Sequence, residues 1–170
     1  MNSSNSILVG VVDGWVHVKV DGKGSFQNSA ALKEFSKQML ERGSRHFVVD
    51  LQNCPVMDST FMGTLAGIAL RLREYSDGSL LVRNANVRNS DLLRNLGLNN
   101  LFDVESKASE TTDEAVGSTP LAADRAVRRI DQAECMIEAH EALVNADPEN
   151  LARFKDVLEY LKQDLRAGSK

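Results

Sequence analysis

The 170-residue chain is short of several things, and each shortage removes a class of function. Its two cysteines, Cys54 and Cys135, are far apart and show no Cys-x-x-Cys or Cys/His ligand spacing. A metal centre or disulfide framework is therefore not expected, and both read as small buried or half-buried residues. It has no excess of Lys and Arg: residues 1–110 carry 12 basic and 12 acidic side chains, and residues 111–170 carry 8 against 12. A neutral front and an acidic tail do not suit nucleic acid, which selects clustered cations. No stretch approaches ~20 consecutive apolar residues. Met1-Asn2-Ser3-Ser4-Asn5-Ser6 lacks the basic and apolar regions of a signal peptide, so the chain reads as cytoplasmic with no membrane insertion. The histidines His17, His46 and His140 fall on three predicted elements without repeated spacing. Ser59 lacks the Gly-x-Ser-x-Gly elbow of a hydrolase, and Gly22-Lys23-Gly24-Ser25 lacks P-loop spacing and reads as a flexible loop. No catalytic residue, metal or cofactor is expected.

What is present is a hydrophobic content of 42%, enough for one packed domain with an appendage or for two small units. Residues 7–12 and 15–20 are β-type runs joined by Asp13-Gly14, a tight-hairpin signal. In the second, Val16, Val18 and Val20 alternate with Trp15, His17 and Lys19, which predicts one face toward helices and one toward water. Asn28-Ser29 is a candidate cap for a helix ending near Gly43, with Leu32, Phe35, Met39 and Leu40 as its apolar stripe. A strand at 46–51, a helix at 59–75, a strand at 79–83, a short helix at 91–96 capped by Ser90, and a strand at 101–104 follow. The order ββαβαβαβ favours an α/β fold with a mixed sheet covered by helices.

The strand at 46–51 ends in Met57-Asp58-Ser59-Thr60-Phe61-Met62-Gly63 and turns helical. With Asp58 as N-cap, Ser59 lies in the first helical turn, where free N–H groups and the helix dipole favour an added anion. Ser59 is a candidate phosphoacceptor; the plainer alternative is that its hydroxyl only helps to cap the helix.

The strand, the Gln52-Asn53-Cys54-Pro55-Val56 connector, and Met57-Asp58-Ser59-Thr60 opening a helix with Gly63 one turn in resemble the STAS domain over roughly residues 7–105. More narrowly they resemble the bacterial anti-sigma-factor antagonists. The resemblance implies a STAS-like mixed sheet covered by helices on one face. It also implies that Ser59 is phosphorylated by a partner serine kinase that is itself the anti-sigma factor, with a phosphatase reversing the mark. Asp58 matches the family aspartate and Thr60 its second hydroxyl residue. Phe61 stands where the family motif Asp-Ser-Ser/Thr-Gly-Leu-Gly has its first glycine, and Ser25 stands where the family's Gly-Glu-Leu-Asp segment has its aspartate. The partner-binding set implied is Asp58, Thr60, Phe61 and Met62 with Ser25, Phe26 and Asn28 of the 21–28 loop, Phe26 being a candidate apolar anchor.

Behind this domain, taken as residues 1–105, a linker is expected over 106–118, where Ser, Thr, Glu and Asp dominate. Residues 119–170 predict an α-helical hairpin. Thr119-Pro120 reads as the start of a helix through Asn145, with Val127, Ile130, Ile137 and Val144 near one face and Ala123, Ala126 and Ala133 beside them. Asp147-Pro148 starts a second helix, on which Leu151, Phe154, Leu158, Leu161 and Leu165 form a seam. The hairpin is expected to dock on the front domain, on a second copy as a homodimer, or on a partner. Two functions follow as expectations: an anti-sigma-factor antagonist switched at Ser59, or an unswitched STAS-like scaffold that uses the hairpin as its partner or dimer surface.

Overall fold

Asp13 and Gly14 both adopt positive φ, 53° and 80°, and fold Ser6–Val12 (β1) back on Trp15–Asp21 (β2) as an antiparallel hairpin. The computed structural model describes residues 6–106, 119–120 and 129–168. After the hairpin come α1 (Phe26–Glu41), β3 (His46–Asp50), α2 (Ser59–Leu72), β4 (Ser79–Ala85), α3 (Val87–Asn95), a 3₁₀ turn at Leu98–Asn100, β5 (Asp103–Ser106), β6 (Thr119–Pro120), α4 (Arg129–Ala146) and α5 (Asn150–Gly168). The sheet runs β5-β4-β3-β2-β1-β6. Pairing is parallel from β2 through β5 and antiparallel at β1 with both β2 and β6, so the sheet is mixed as expected.

Alternation does the sorting. Val16, Val18 and Val20 are buried in the same core as Leu32 and Met39 of α1 and Phe61, Leu65 and Leu72 of α2, while Trp15, His17 and Lys19 on the other face are not buried. Phe47 and Val49 of β3 bring the central strand into that core.

Several boundaries differ from expectation, each for a local reason. Ser25, not Asn28-Ser29, caps α1: its Oγ accepts from the Gln27 N–H at 3.2 Å, and Asn28 Oδ1 accepts from the Ser25 N–H at 3.0 Å, a capping box with Asn at the third position. Phe26 is thus in the first turn of α1 and not in a loop. Asn86 caps α3, its Oδ1 accepting from the Asn89 N–H at 2.7 Å, and Ser90 is buried inside that helix instead of opening it. β4 continues to Ala85, which pairs with Ser106 of β5 beyond a register shift after Val82; within that shift Asn84, at φ 58°, donates to Asp50 Oδ1 at 3.0 Å. α2 stops at Leu72, and β5 begins at Asp103.

Thr119-Pro120 does not open a helix. It pairs as β6 with the outer edge of β1, opposite Val9 and Leu8, an edge position that tolerates a residue without an N–H. Of the linker expected over 106–118, Ser106 is the last residue of β5, paired with Ala85; the rest of it and the first helical positions, with Ala123, Ala126 and Val127, lie outside the described residues.

The C-terminal pair is the expected helical hairpin. Ile137 of α4 packs with Leu158 and Leu161 of α5, flanked by Val144 and Leu165, so most of the predicted seam is real; Leu151 is not part of it and is exposed. The hairpin docks on its own chain: Ala142 and Leu143 of α4 enter the main core, with Phe154 of α5 packed against it.

Candidate functional site

Two helices begin at one place. The Gly24–Met57 bridge and the Asp58 N–H donated to Gly24 O at 2.8 Å bring the N-termini of α1 and α2 side by side. Asp58 serves both: Oδ1 accepts from the Phe61 N–H at 2.8 Å as cap of α2, and Oδ2 accepts from the Phe26 N–H at 2.9 Å in the first turn of α1. A single carboxylate between two positive helix ends is a favourable arrangement, and both of its oxygens are occupied in it. Asp58 therefore has a structural role at both helix starts.

Phe61 packs on Gly24, where an added Cβ would stand 2.8 Å from the Phe61 ring, so the glycine leaves room for the bulky residue. Of the residues expected to meet a partner, Thr60, Phe61, Met62, Ser25 and Asn28 are all buried. They shape the site from beneath. Phe26 is 38% exposed, and Asp58 and Ser59 are half-buried. The structure thus gathers all eight residues around two helix starts but presents only three of them outward.

A residue that sequence spacing did not connect to this place completes it. His140 of α4 stands with Nε2 2.9 Å from Ser59 Oγ, and its Nδ1 is 2.7 Å from Met136 O. A carbonyl only accepts, so Nδ1 carries the proton. In a ring with one proton, Nε2 then accepts from the Ser59 hydroxyl. His140 is 2% exposed and meets the Phe154 ring edge-on at 5.1 Å between centroids. A serine on a histidine is also the beginning of a nucleophile–base pair, but here the second ring nitrogen is bound to a backbone carbonyl where a triad has a carboxylate.

α4 reaches Ser59 because α2 offers it a glycine. A Cβ at Gly63 would lie 2.5 Å from the Ala139 carbonyl carbon and 2.8 Å from Ala139 Cβ, inside any tolerable contact. One turn later, a Cβ on Gly67 would meet Ala142 Cβ at 3.9 Å, an ordinary contact. The signal in the sequence is the spacing Gly63-x-x-x-Gly67 on one helix and the small residues of Ala139-x-x-Ala142 on another. Only the fold shows that these small faces meet. Lys33 of α1 pairs with Glu138 of α4 beside them. Asn150, at the start of α5, donates to Leu96 O at 2.9 Å and Leu143 O at 2.8 Å, fixing the hairpin's bend to the front domain.

Between α1, α2 and α4 lies a cavity of about 280 Å³ lined by Lys33, Ser36, Thr64, Arg71, Cys135 and Glu138, among others. Burial pushes the Cys135 thiol pKa up, partly opposed by the Lys33 charge. Burial likewise raises Cys54, partly opposed by the backbone groups of Gly24 and Val56. Among the described residues no group of three or more His, Cys, Asp or Glu side chains could hold a metal, and no helix is long and apolar enough to cross a membrane.

Comparison with known proteins follows the same outline. Residues 9–103 match a family model described as MlaB, STAS domain. No curated protein matches the chain in sequence. Among solved structures, an anti-sigma factor antagonist from Mycobacterium paratuberculosis superposes with a TM-score of 0.55 at 20% identity, over 62% of this chain and 88% of that one. A Thermotoga maritima protein provisionally described as an anti-sigma factor antagonist gives 0.55 at 18% identity, over 64% and 90%. The anti-sigma factor antagonist SpoIIAA in its unphosphorylated form gives 0.50 at 13% identity, over 61% and 89%. At these identities the likeness is one of fold.

Proposed function

Given that the chain belongs to the STAS domain family of the MlaB type, we propose that it is a regulatory protein-binding module acting as an anti-sigma-factor antagonist, switched by phosphorylation of Ser59. The observation that carries this reading is the placement of Ser59. It is the first residue of α2, half-exposed, directly after a cap whose two oxygens are already committed. A phosphoryl group on Ser59 Oγ adds about −1.5 to −2 charge at the positive end of a helix. The fold keeps its cap while the surface gains negative charge.

The partner in this reading is an anti-sigma factor that is also a serine kinase, and a phosphatase restores the hydroxyl. The kinase supplies nucleotide and base; this chain supplies the acceptor and the docking face formed by Phe26, Asp58 and Ser59 over their buried supports. The fold likeness to proteins described as anti-sigma factor antagonists supports the reading. Pull-down from the native organism with wild type, Ser59→Ala and Ser59→Asp tests it. The expected result is one partner retained by wild type and Ser59→Ala and lost by Ser59→Asp; equal capture by all three refutes the switch.

The unswitched scaffold has one observation in its favour: α5 leaves Leu151, Val157 and Tyr160 exposed. Under that reading Leu151→Glu/Tyr160→Glu in the full chain abolishes partner capture while Ser59→Asp does not.

A further inference from the structure

We propose that the face of α2 from Ser59 to Gly67 is an interaction surface for a helix of a partner, and that α4 occupies it in cis as a competitor built to the same specification. The inference deepens the function proposed above, because the surface it assigns includes Ser59.

The specification is legible on α4. At closest approach stands Ala139 over Gly63, where the glycine already lacks room for a methyl group of its own. The residue before it, Glu138, pairs with Lys33 of α1, and the residue after it, His140, accepts from Ser59. A helix that fits this face therefore carries Ala or Gly at the contact, an acid just before it, and a hydrogen-bond acceptor just after it. A side chain at position 63 would meet the Ala139 backbone, which cannot yield as a side-chain tip does, and a larger residue at position 139 would have to fit where Ala139 is already 3% exposed.

The hairpin is also suited to leave as a unit. Its own apolar cluster, Ile137 with Leu158 and Leu161, is separate from the main core and stays intact on undocking. What it lends to the main core is Ala142, Leu143 and partly buried Ala146 and Phe154, a minor part of a cluster whose other buried members come from residues 7–102. Among the described residues, the polar ties across the seam include the Ser59 hydroxyl, one partly exposed ion pair, and the Asn150 bond to Leu96 O, whereas the Asn150 bond to Leu143 O lies within the hairpin and leaves with it. While α4 is docked, the half-buried Ser59 oxygen is hydrogen-bonded to a buried imidazole 2.9 Å away, a bond that a phosphoryl group on that oxygen has to break. Partner binding on this face then requires the hairpin to open.

The test uses the full chain and, as probe, a fluorescein-labelled peptide of residues 129–168. Ala139→Leu in the chain expels its own α4 while leaving the α2 face unchanged. The expected result is peptide capture by this variant at least about tenfold tighter than by wild type, whose face is open only a small fraction of the time. Adding Gly63→Ala to the variant weakens capture roughly 5- to 150-fold, and a probe that itself carries Ala139→Leu is not captured. Faster modification of Cys135 by a thiol reagent reports the opening, since that side chain is 7% exposed when docked. Should Ala139→Leu fail to fold, Glu138→Lys/His140→Ala removes the polar ties without adding bulk at the contact, and the same results are expected. An opened chain that captures no peptide overturns the proposal. So does equal capture by wild type, capture of the probe carrying Ala139→Leu, or Cys135 modification that stays at the wild-type rate in both variants. None of these readouts involves phosphate, so the surface can stand when Ser59 is found unmodified, and the switch can stand when the peptide fails.

Discussion

Gly63 and Gly67 sit one turn apart on the same helix, yet replacing each by Ala has opposite expected effects. In Gly63→Ala the new methyl stands 2.5 Å from the Ala139 carbonyl carbon and 2.8 Å from its Cβ. Carbon contacts are comfortable from about 3.5 Å, so α4 retreats by roughly 1 Å at the crossing, and a gap of that size forfeits a quarter to a half of each contact's attraction. Overpacking of this kind costs about 1–3 kcal/mol. The gain in intrinsic helix propensity, about 1 kcal/mol, strengthens α2 whether or not α4 is docked, so it does not offset the loss at the interface. The docking equilibrium accordingly shifts by about 1–3 kcal/mol, or roughly 5- to 150-fold. In Gly67→Ala the methyl meets only Ala142 Cβ at 3.9 Å, so the propensity gain is retained and docking is unchanged or improved. Timed modification with a thiol reagent reads both. Cys135 lies on α4 and Cys54 lies in the front domain, both buried, so Cys54 serves as an internal standard for global unfolding. The expectation is a roughly 5- to 150-fold faster reaction at Cys135 in Gly63→Ala with Cys54 unchanged, and no acceleration in Gly67→Ala. Equal rates in the two variants, or acceleration of Cys54 together with Cys135, refute the packing described for α2 and α4.

Three further outcomes are expected. Asp58→Ala removes the cap of α2 and the acceptor for Phe26 at once, costing about 1–2 kcal/mol and lowering the melting temperature by roughly 2–8 °C, whereas Asp58→Asn keeps most of that stability. Asn150→Ala orphans the buried Leu96 carbonyl, while Leu143 O keeps the Asp147 N–H as donor; the loss costs about 1–3 kcal/mol and speeds hydrogen exchange in α4 and α5 ahead of the sheet. Both thiols have raised pKa values in the folded chain, chiefly through burial, so the folded state holds their protons more tightly than the unfolded state. Their contribution to stability is complete below about pH 8.5 and falls as pH rises beyond it. Urea midpoints at about pH 7.5 and about pH 9.5 measure that fall, and it diminishes in Cys54→Ala/Cys135→Ala.

The strands and the Asp58 cap were legible because they rest on neighbours in sequence: alternation at Val16, Val18 and Val20, the Asp13-Gly14 turn, and a carboxylate three residues before the N–H it accepts from. The start of α3 was misplaced because Asn86 and Ser90 are both adequate caps, and the burial of Ser90 in the folded chain decides between them. Thr119-Pro120 has the composition of a helix start, and only the free edge of β1 makes it a strand. The site was half legible. Ser59 and Asp58 announce themselves within four residues, but the Ser59–His140 bond spans 81 positions and depends on two glycines whose value lies in what packs on them. Phe61 and Ser25, which differ from the motif, are placed by the same geometry: one fills the space over Gly24, and the other caps α1.

The most direct test of the switch is to incubate the full chain with ATP and a serine kinase of the anti-sigma type, then map phosphate by tandem mass spectrometry. Buried Thr60 serves as the neighbouring hydroxyl control. Phosphate on Ser59 alone, with loss of partner binding in the modified fraction, is the result predicted. An unmodified Ser59, together with undiminished partner binding by Ser59→Asp, contradicts it.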